Sequence, residues 1–144
     1  NASNVEHYRK SQYKWLEAIL YSKKVYYDWL ILIDDDSFLI HYAMVDLLSD
    51  YDATKSIIIG KKGPDCDYIC GGPGMALSKA LVHNLTDTLS TLSRLRTAFD
   101  NGLGHHRKIH ADVVLSHFIR YNNIGKLVHK IELKNFPPSV FRKW

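Results

Sequence analysis

Apolar positions along the chain recur at helical spacing in some stretches and run without interruption in others. Tyr13, Leu16 and Leu20 mark one face of a helix, broadened by Ile19. Ser3 and Glu6 precede it at capping-box spacing. A turn near Tyr21-Ser22 or Lys23-Lys24 follows. DWLILI, ending at Ile33, is short, continuous and branched, which predicts a buried strand. Tyr42, Val45 and Leu48 return to helical spacing. SIIIG, closed by Gly60, predicts a second buried strand, and KKGPDCD after it is rich in turn formers. YIC reads as a short strand leading into GGPG. From Ser78 to about Leu95, the positions Leu81, Leu85, Leu89 and Leu92 predict a helix with a break near Thr86-Asp87. NGLGHHRKIH reads as a loop. ADVVLSHFIRY predicts a helix with Val114, Leu115 and Phe118 inward, ended by NNIG. KLVHKIEL predicts a strand, and 136–144 an irregular tail. Strands alternating with helices predict a layered α/β domain occupying all of 1–144. No internal repeat or linker interrupts it.

Composition narrows the function classes. A chain of 144 residues with 46% apolar content is long enough for one ordered domain. Lys and Arg number 19 and Asp and Glu 15, a net charge of +4 that is scattered along the sequence. Without a basic arm or zinc-finger spacing, nucleic acid is not the expected partner. No apolar run reaches membrane-spanning length. Cys66 and Cys70 lack the second pair a structural metal site needs, and fit a short-loop disulfide and two free thiols equally. Asn1-Ala2-Ser3 and Asn84-Leu85-Thr86 are N-glycosylation triplets, a pattern that also arises by chance.

Asp34, Asp35 and Asp36 follow directly on the first apolar strand. Ligands of α/β sheets gather beyond the carboxyl ends of strands, where this triplet would sit if its strand were central. Adjacent carboxylates raise one another's pKa unless a cation offsets them, and Mg2+ or Mn2+ with oxygen ligands is a ready offset. On an extended chain Asp34 and Asp36 share a face while Asp35 points elsewhere. That separation suggests metal contacts for the spaced pair and a polar partner such as a ribose for Asp35. An exposed acidic turn is the plain alternative.

CGGPGMALSKAL is the second informative stretch. Gly71, Gly72 and Gly74 permit positive φ or a close backbone approach, and Pro73 stiffens the turn. Ser78 opens the helical pattern, where backbone donors could face an anion. A tight connection between elements explains the glycines equally well. The segment is neither a Walker loop nor a dinucleotide fingerprint.

Taken together, DWLILIDDDSFL, GGPGMALSKAL and HADVVLSHFI resemble the Fringe-like β-1,3-glycosyltransferases, over about Tyr8 to Phe136. The resemblance implies a GT-A fold and inverting transfer from a UDP-sugar to a glycan or glycoprotein, with Mn2+ (or Mg2+) as cofactor. It implies work in the Golgi or endoplasmic reticulum lumen, within a type II membrane protein whose anchor lies outside these residues. The early nucleotide-binding strand and helix would precede Asn1. By resemblance, Asp34 to Asp36 form the D-x-D motif. Asp36 is its firmest metal ligand, and Asp34 and Asp35 lie near the metal or the UDP ribose. Gly71 and Gly72 border the donor, and Asp112 is the catalytic base.

An inverting transfer needs a carboxylate to take the acceptor's proton, and a metal can stabilise the diphosphate that leaves. A first-turn helix aspartate is also common for structural reasons alone. His110 stands close by but out of register with the family base, and His105 and His106 fall in the loop. Where relatives carry an acidic residue, Ala111 precedes Asp112. Pro137 stands where the family's metal-binding histidine is expected, and His129 is the nearest substitute. Trp15 and Trp29 sit within apolar patterns and are expected to pack. Pro137 motivates the alternative of an inactive, glycan- or partner-binding relative. A metal phosphohydrolase would explain the aspartates but not the two later motifs.

Overall fold

A computed structural model of the chain describes residues 13–34, 37–62, 68–101 and 110–130. Helix α1 is described over 13–22. Leu16 and Ile19 are buried, with Tyr13 and Leu20 partly buried against the same core, so the predicted face is the packed one. The elements that follow are β1 (Trp29–Leu32), α2 (His41–Ser49), β2 (Ile57–Lys62), β3 (Ile69–Ser78), α3 (Lys79–Thr86), α4 (Leu89–Asn101), α5 (Ala111–Tyr121) and β4 (Lys126–His129). The expected break between two helices falls at Asp87 and Thr88. The Ser3–Glu6 pair and the 136–144 tail lie outside the described residues.

The four strands form one mixed sheet in the order β1-β3-β2-β4. β3 runs antiparallel to both neighbours, while β2 and β4 are parallel. β1, β2 and β4 therefore share a direction, and their carboxyl ends lie along one end of the sheet. Among the described residues β1 is an edge strand, not a central one. The expected buried strand is corrected with it: only Leu32 is buried, Trp29, Leu30 and Ile31 are half-buried, and Ile33 is exposed, because an apolar run does not report which strands lie beside it.

Side chains alternate across the sheet. Leu32, Ile58, Met75 and Leu77 join α1, α3, α4 and α5 in the larger core. Ile57, Ile59 and Ala76 face the other way, against Met44 and Leu48 of α2, with Trp29 and Ile31 partly buried beside them. Truncating a fully buried residue such as Leu115 to Ala would cost about 2–5 kcal/mol. In α2 the predicted stripe is corrected. Leu48 is buried, but Tyr42 and Val45 are 77% and 54% exposed, and Met44 supplies the inward partner. Met44 and Leu48 are four apart, a spacing as helical as that of Tyr42 and Val45, and nine residues do not distinguish the two stripes.

Ser78 closes β3 and caps α3. Its hydroxyl accepts from Leu81 N–H and Ile57 N–H, each at 3.1 Å, and donates to Lys55 O at 2.7 Å. Ser78 is fully buried, so the expectation that this helix start faces an anion is not met. The strand continues four residues past Gly74, which carries the helix start away from the glycines.

Candidate active site

β3 leaves its ladder with β2 where the glycines occur. Gly60 pairs with Met75, yet the next residue, Lys61, pairs with Cys70. Residues 71–74 form an excursion from that ladder, a long bulge inside a strand. The ladder to β1 stops at the same level, at Leu32↔Met75. Of the two sequence readings of this segment, the tight connection between elements is corrected accordingly. Gly74 takes φ +90, with Ile33 Cγ2 3.0 Å from where a Cβ would stand. Re-entry into the strand therefore requires glycine.

The excursion touches the other two motifs. Ser37 N–H donates to Asp34 O at 3.1 Å, a bond of the turn-closing kind. From that turn Ser37 Oγ donates to Gly72 O at 2.5 Å. The adjacent Gly71 N–H donates to Asp112 Oδ2 at 2.8 Å. Two hydrogen bonds, made by neighbouring residues, thus join the acidic turn to the start of α5. One end of the sheet carries all three motifs.

Asp112 stands in the first turn of α5, after His110 as N-cap. Its Oδ1 accepts from Val113 N–H at 2.8 Å. Each carboxylate oxygen thus holds one backbone donor and keeps lone-pair capacity for another proton or donor. One helical turn further in, Ser116 Oγ accepts from Ile69 N–H at 3.0 Å, in full burial. Asp112 and Ser116 share a face of α5 at i,i+4 spacing, and they bond alternate residues of β3. That pair fixes the height of the helix against the strand.

Trp15 completes the base's surroundings. A Cβ on Gly71 would stand 2.5 Å from Trp15 Cη2 and 3.1 Å from Asp112 Cβ. Gly71 is glycine because an indole and the first turn of α5 close on it. Trp15 is half-buried against the larger core, the packing role expected for it.

Asp34 is half-buried in the turn, and Asp35 and Asp36 lie outside the described residues. Among the described residues no three potential His, Cys, Asp or Glu ligands come together. His129 pairs in register with Gly60, which pairs with Met75, which pairs with Leu32. Three strand spacings, roughly 14 Å, separate its backbone from β1, so it is not placed beside the acidic turn. Cys66, His105, His106 and Pro137 fall outside the described residues, and no disulfide joins Cys70 within them. Ser37, Ser116 and Trp15 were not candidates from sequence. Only the i,i+4 spacing of Asp112 and Ser116 offered a signal.

Among the described residues no helix is long and apolar enough to cross a membrane. The sequence model of the Fringe-like family matches residues 2–133 of the chain. A search of curated proteins returns no match.

Proposed function

The chain belongs to the Fringe-like glycosyltransferase family, and from that premise we propose that it is the later part of a GT-A-type catalytic domain. It transfers a hexose or N-acetylhexosamine from a UDP-sugar to a glycan or glycoprotein acceptor, with inversion and a β-1,3 linkage. The observation that carries this reading is the bridge from Ser37 through Gly72 and Gly71 to Asp112. An inverting transferase needs its leaving-group site and its base on opposite faces of one sugar, a short distance apart. The bridge supports that arrangement, because it ties the acidic turn and the carboxylate to adjacent residues of one strand.

In this reading Asp112 is the general base. The acceptor hydroxyl oxygen attacks the anomeric carbon, the bond from that carbon to the UDP oxygen breaks, and the hydroxyl proton passes to an Asp112 oxygen. The two backbone N–H bonds hold the carboxylate still for this transfer. Gly71 and Gly72 border the donor, with Gly71 acting through Asp112. Asp34 and Asp36 would hold a divalent cation, and Asp35 the ribose. An all-oxygen donor set suits Mn2+ or Mg2+. Such a cation, when bound, stabilises charge on the departing diphosphate.

The same reading places the domain in the Golgi or endoplasmic reticulum lumen, with the membrane anchor outside these residues. The test is sugar transfer by the full-length protein with Mn2+, using UDP-galactose and UDP-N-acetylglucosamine in turn. Activity with one donor that is lost in Asp36→Ala and in Asp112→Asn is the expected result. Unchanged activity in both variants would reject the proposed site.

A further inference from the structure

We infer that Asn84 is an N-glycan attachment site whose glycan is added before α3 folds; the inference rests on the lumenal location proposed above. Asn84-Leu85-Thr86 lies in the last turns of α3. The three residues divide between surface and interior. Asn84 is exposed, Leu85 is fully buried, and Thr86 is 7% exposed. The attachment residue thus faces solvent, while its two neighbours in the triplet are packed.

The hydroxyl that defines the triplet is committed elsewhere in the folded protein. Thr86 Oγ1 donates to Val82 O at 2.7 Å, inside the helix. An oligosaccharyl transferase must engage that hydroxyl and an extended segment, and the closed helix denies it both. Attachment therefore takes place on the entering chain. The glycan then stays on the surface when Leu85 and Thr86 fold inward. Its place is also compatible with the proposed activity. α3 follows the far end of β3 from the glycines, and along β2 the partners of Cys70 and Leu77 stand three positions, roughly 10 Å, apart before the helix begins at Lys79.

The reaction balances without a redox partner. The Asn84 amide nitrogen bonds the anomeric carbon of a lipid-pyrophosphate-linked oligosaccharide. The bond from that carbon to the pyrophosphate oxygen breaks, lipid pyrophosphate leaves, and an amide proton goes to the transferase's base.

The experiment translates the full chain into the lumen of microsomes behind a cleavable leader. Asn1→Gln removes the other triplet, and an unstructured extension after Trp144 carries a control acceptor triplet. The expected product bears two glycans, both removed by peptide N-glycosidase. Asn84→Gln and Thr86→Ala each remove one, and Thr86→Ser keeps both. This readout does not require the variants to fold. Folded, unglycosylated protein offered to the same transferase and lipid-linked oligosaccharide stays unmodified at Asn84 until it is denatured. A glycan on the control triplet alone overturns the Asn84 site while the lumenal chemistry stands. Absence of glycan from both overturns it together with competent lumenal delivery. Efficient modification of the folded protein overturns the timing.

Discussion

Gly71 N–H donates to Asp112 Oδ2 at 2.8 Å, across a gap of 41 residues in sequence. A strand that leaves its ladder supplies the donor, and the first turn of a helix supplies the acceptor. The bond makes the position of the proposed base depend on the glycine segment.

Replacing Asp112 with Asn separates structural from chemical use of the carboxylate. An amide keeps one oxygen and sets an NH2 group against either Gly71 N–H or Val113 N–H. One partly buried donor then loses its acceptor, at a cost of about 1–3 kcal/mol, read as a lower urea midpoint. Sugar transfer is expected to fall by about 10²–10⁴, the range for losing a general base. A stability loss without any loss of transfer in the folded fraction would leave Asp112 as a structural residue.

Gly71→Ala puts a methyl group into the contact with Trp15 Cη2. Overpacking of this kind costs about 1–3 kcal/mol. Trp15→Phe removes the part of the indole that would clash. The double variant is therefore expected to be more stable than the sum of the two single changes requires, by about 0.5–3 kcal/mol in a denaturation cycle. Additive effects would mean that Trp15 does not limit the space at Gly71.

Ser37→Ala removes the bond to Gly72 O and leaves the Ser37–Asp34 backbone turn in place. Unfolding free energy is expected to drop by about 0.5–1.5 kcal/mol. The Mn2+ concentration for half-maximal transfer should rise, because the acidic turn is no longer tied to the glycines, and Ser37→Thr should restore it. An unchanged Mn2+ dependence in Ser37→Ala would separate the turn from the metal.

Asp87 gives a pH-dependent test of the fold away from the site. The bond from Lys23 at 3.0 Å, with smaller help from the charges of Lys23 and His83, holds its carboxyl below the ordinary carboxylate range. A pKa lowered on folding adds stability above the unfolded value, about 3.9, and that contribution fades as pH falls through the folded value. Asp87→Asn should therefore be less stable than wild type at neutral pH, and the two curves should converge in acid. The pair is exposed, so the gap should be small and should shrink with salt.

The sequence was legible wherever local pattern decides structure. Continuous branched runs marked β1 and β2, and Leu periodicity with a break marked α3 and α4. Ala111–Tyr121 is the helix its pattern predicts, because polar NNIG ends it sharply. Pattern failed where several elements compete for one segment. The glycines read as a loop, yet residues on both sides of them pair with β1 and β2, and strand pairing outweighs their low propensity. Tyr42 and Val45 imitate a buried stripe in a helix too short to settle the matter. Asp112 was visible as a first-turn aspartate, but its partner lies 41 positions away, as Ser116 lies 47 from Ile69. Ser37 had no signal at all, since a hydroxyl reaching Gly72 O is a product of topology. Family resemblance chose the same three motifs that the fold gathers at one end of the sheet.

The most direct measurement is a crystal structure of the full-length protein with Mn2+ and UDP bound. The expected result has the metal between the Asp34–Asp36 turn and the diphosphate. Asp112 would face the space beyond the β-phosphate, still bonded to Gly71 N–H. Nucleotide and metal bound at another surface, or an Asp112 carboxylate walled off from the diphosphate by protein, would contradict the proposed chemistry.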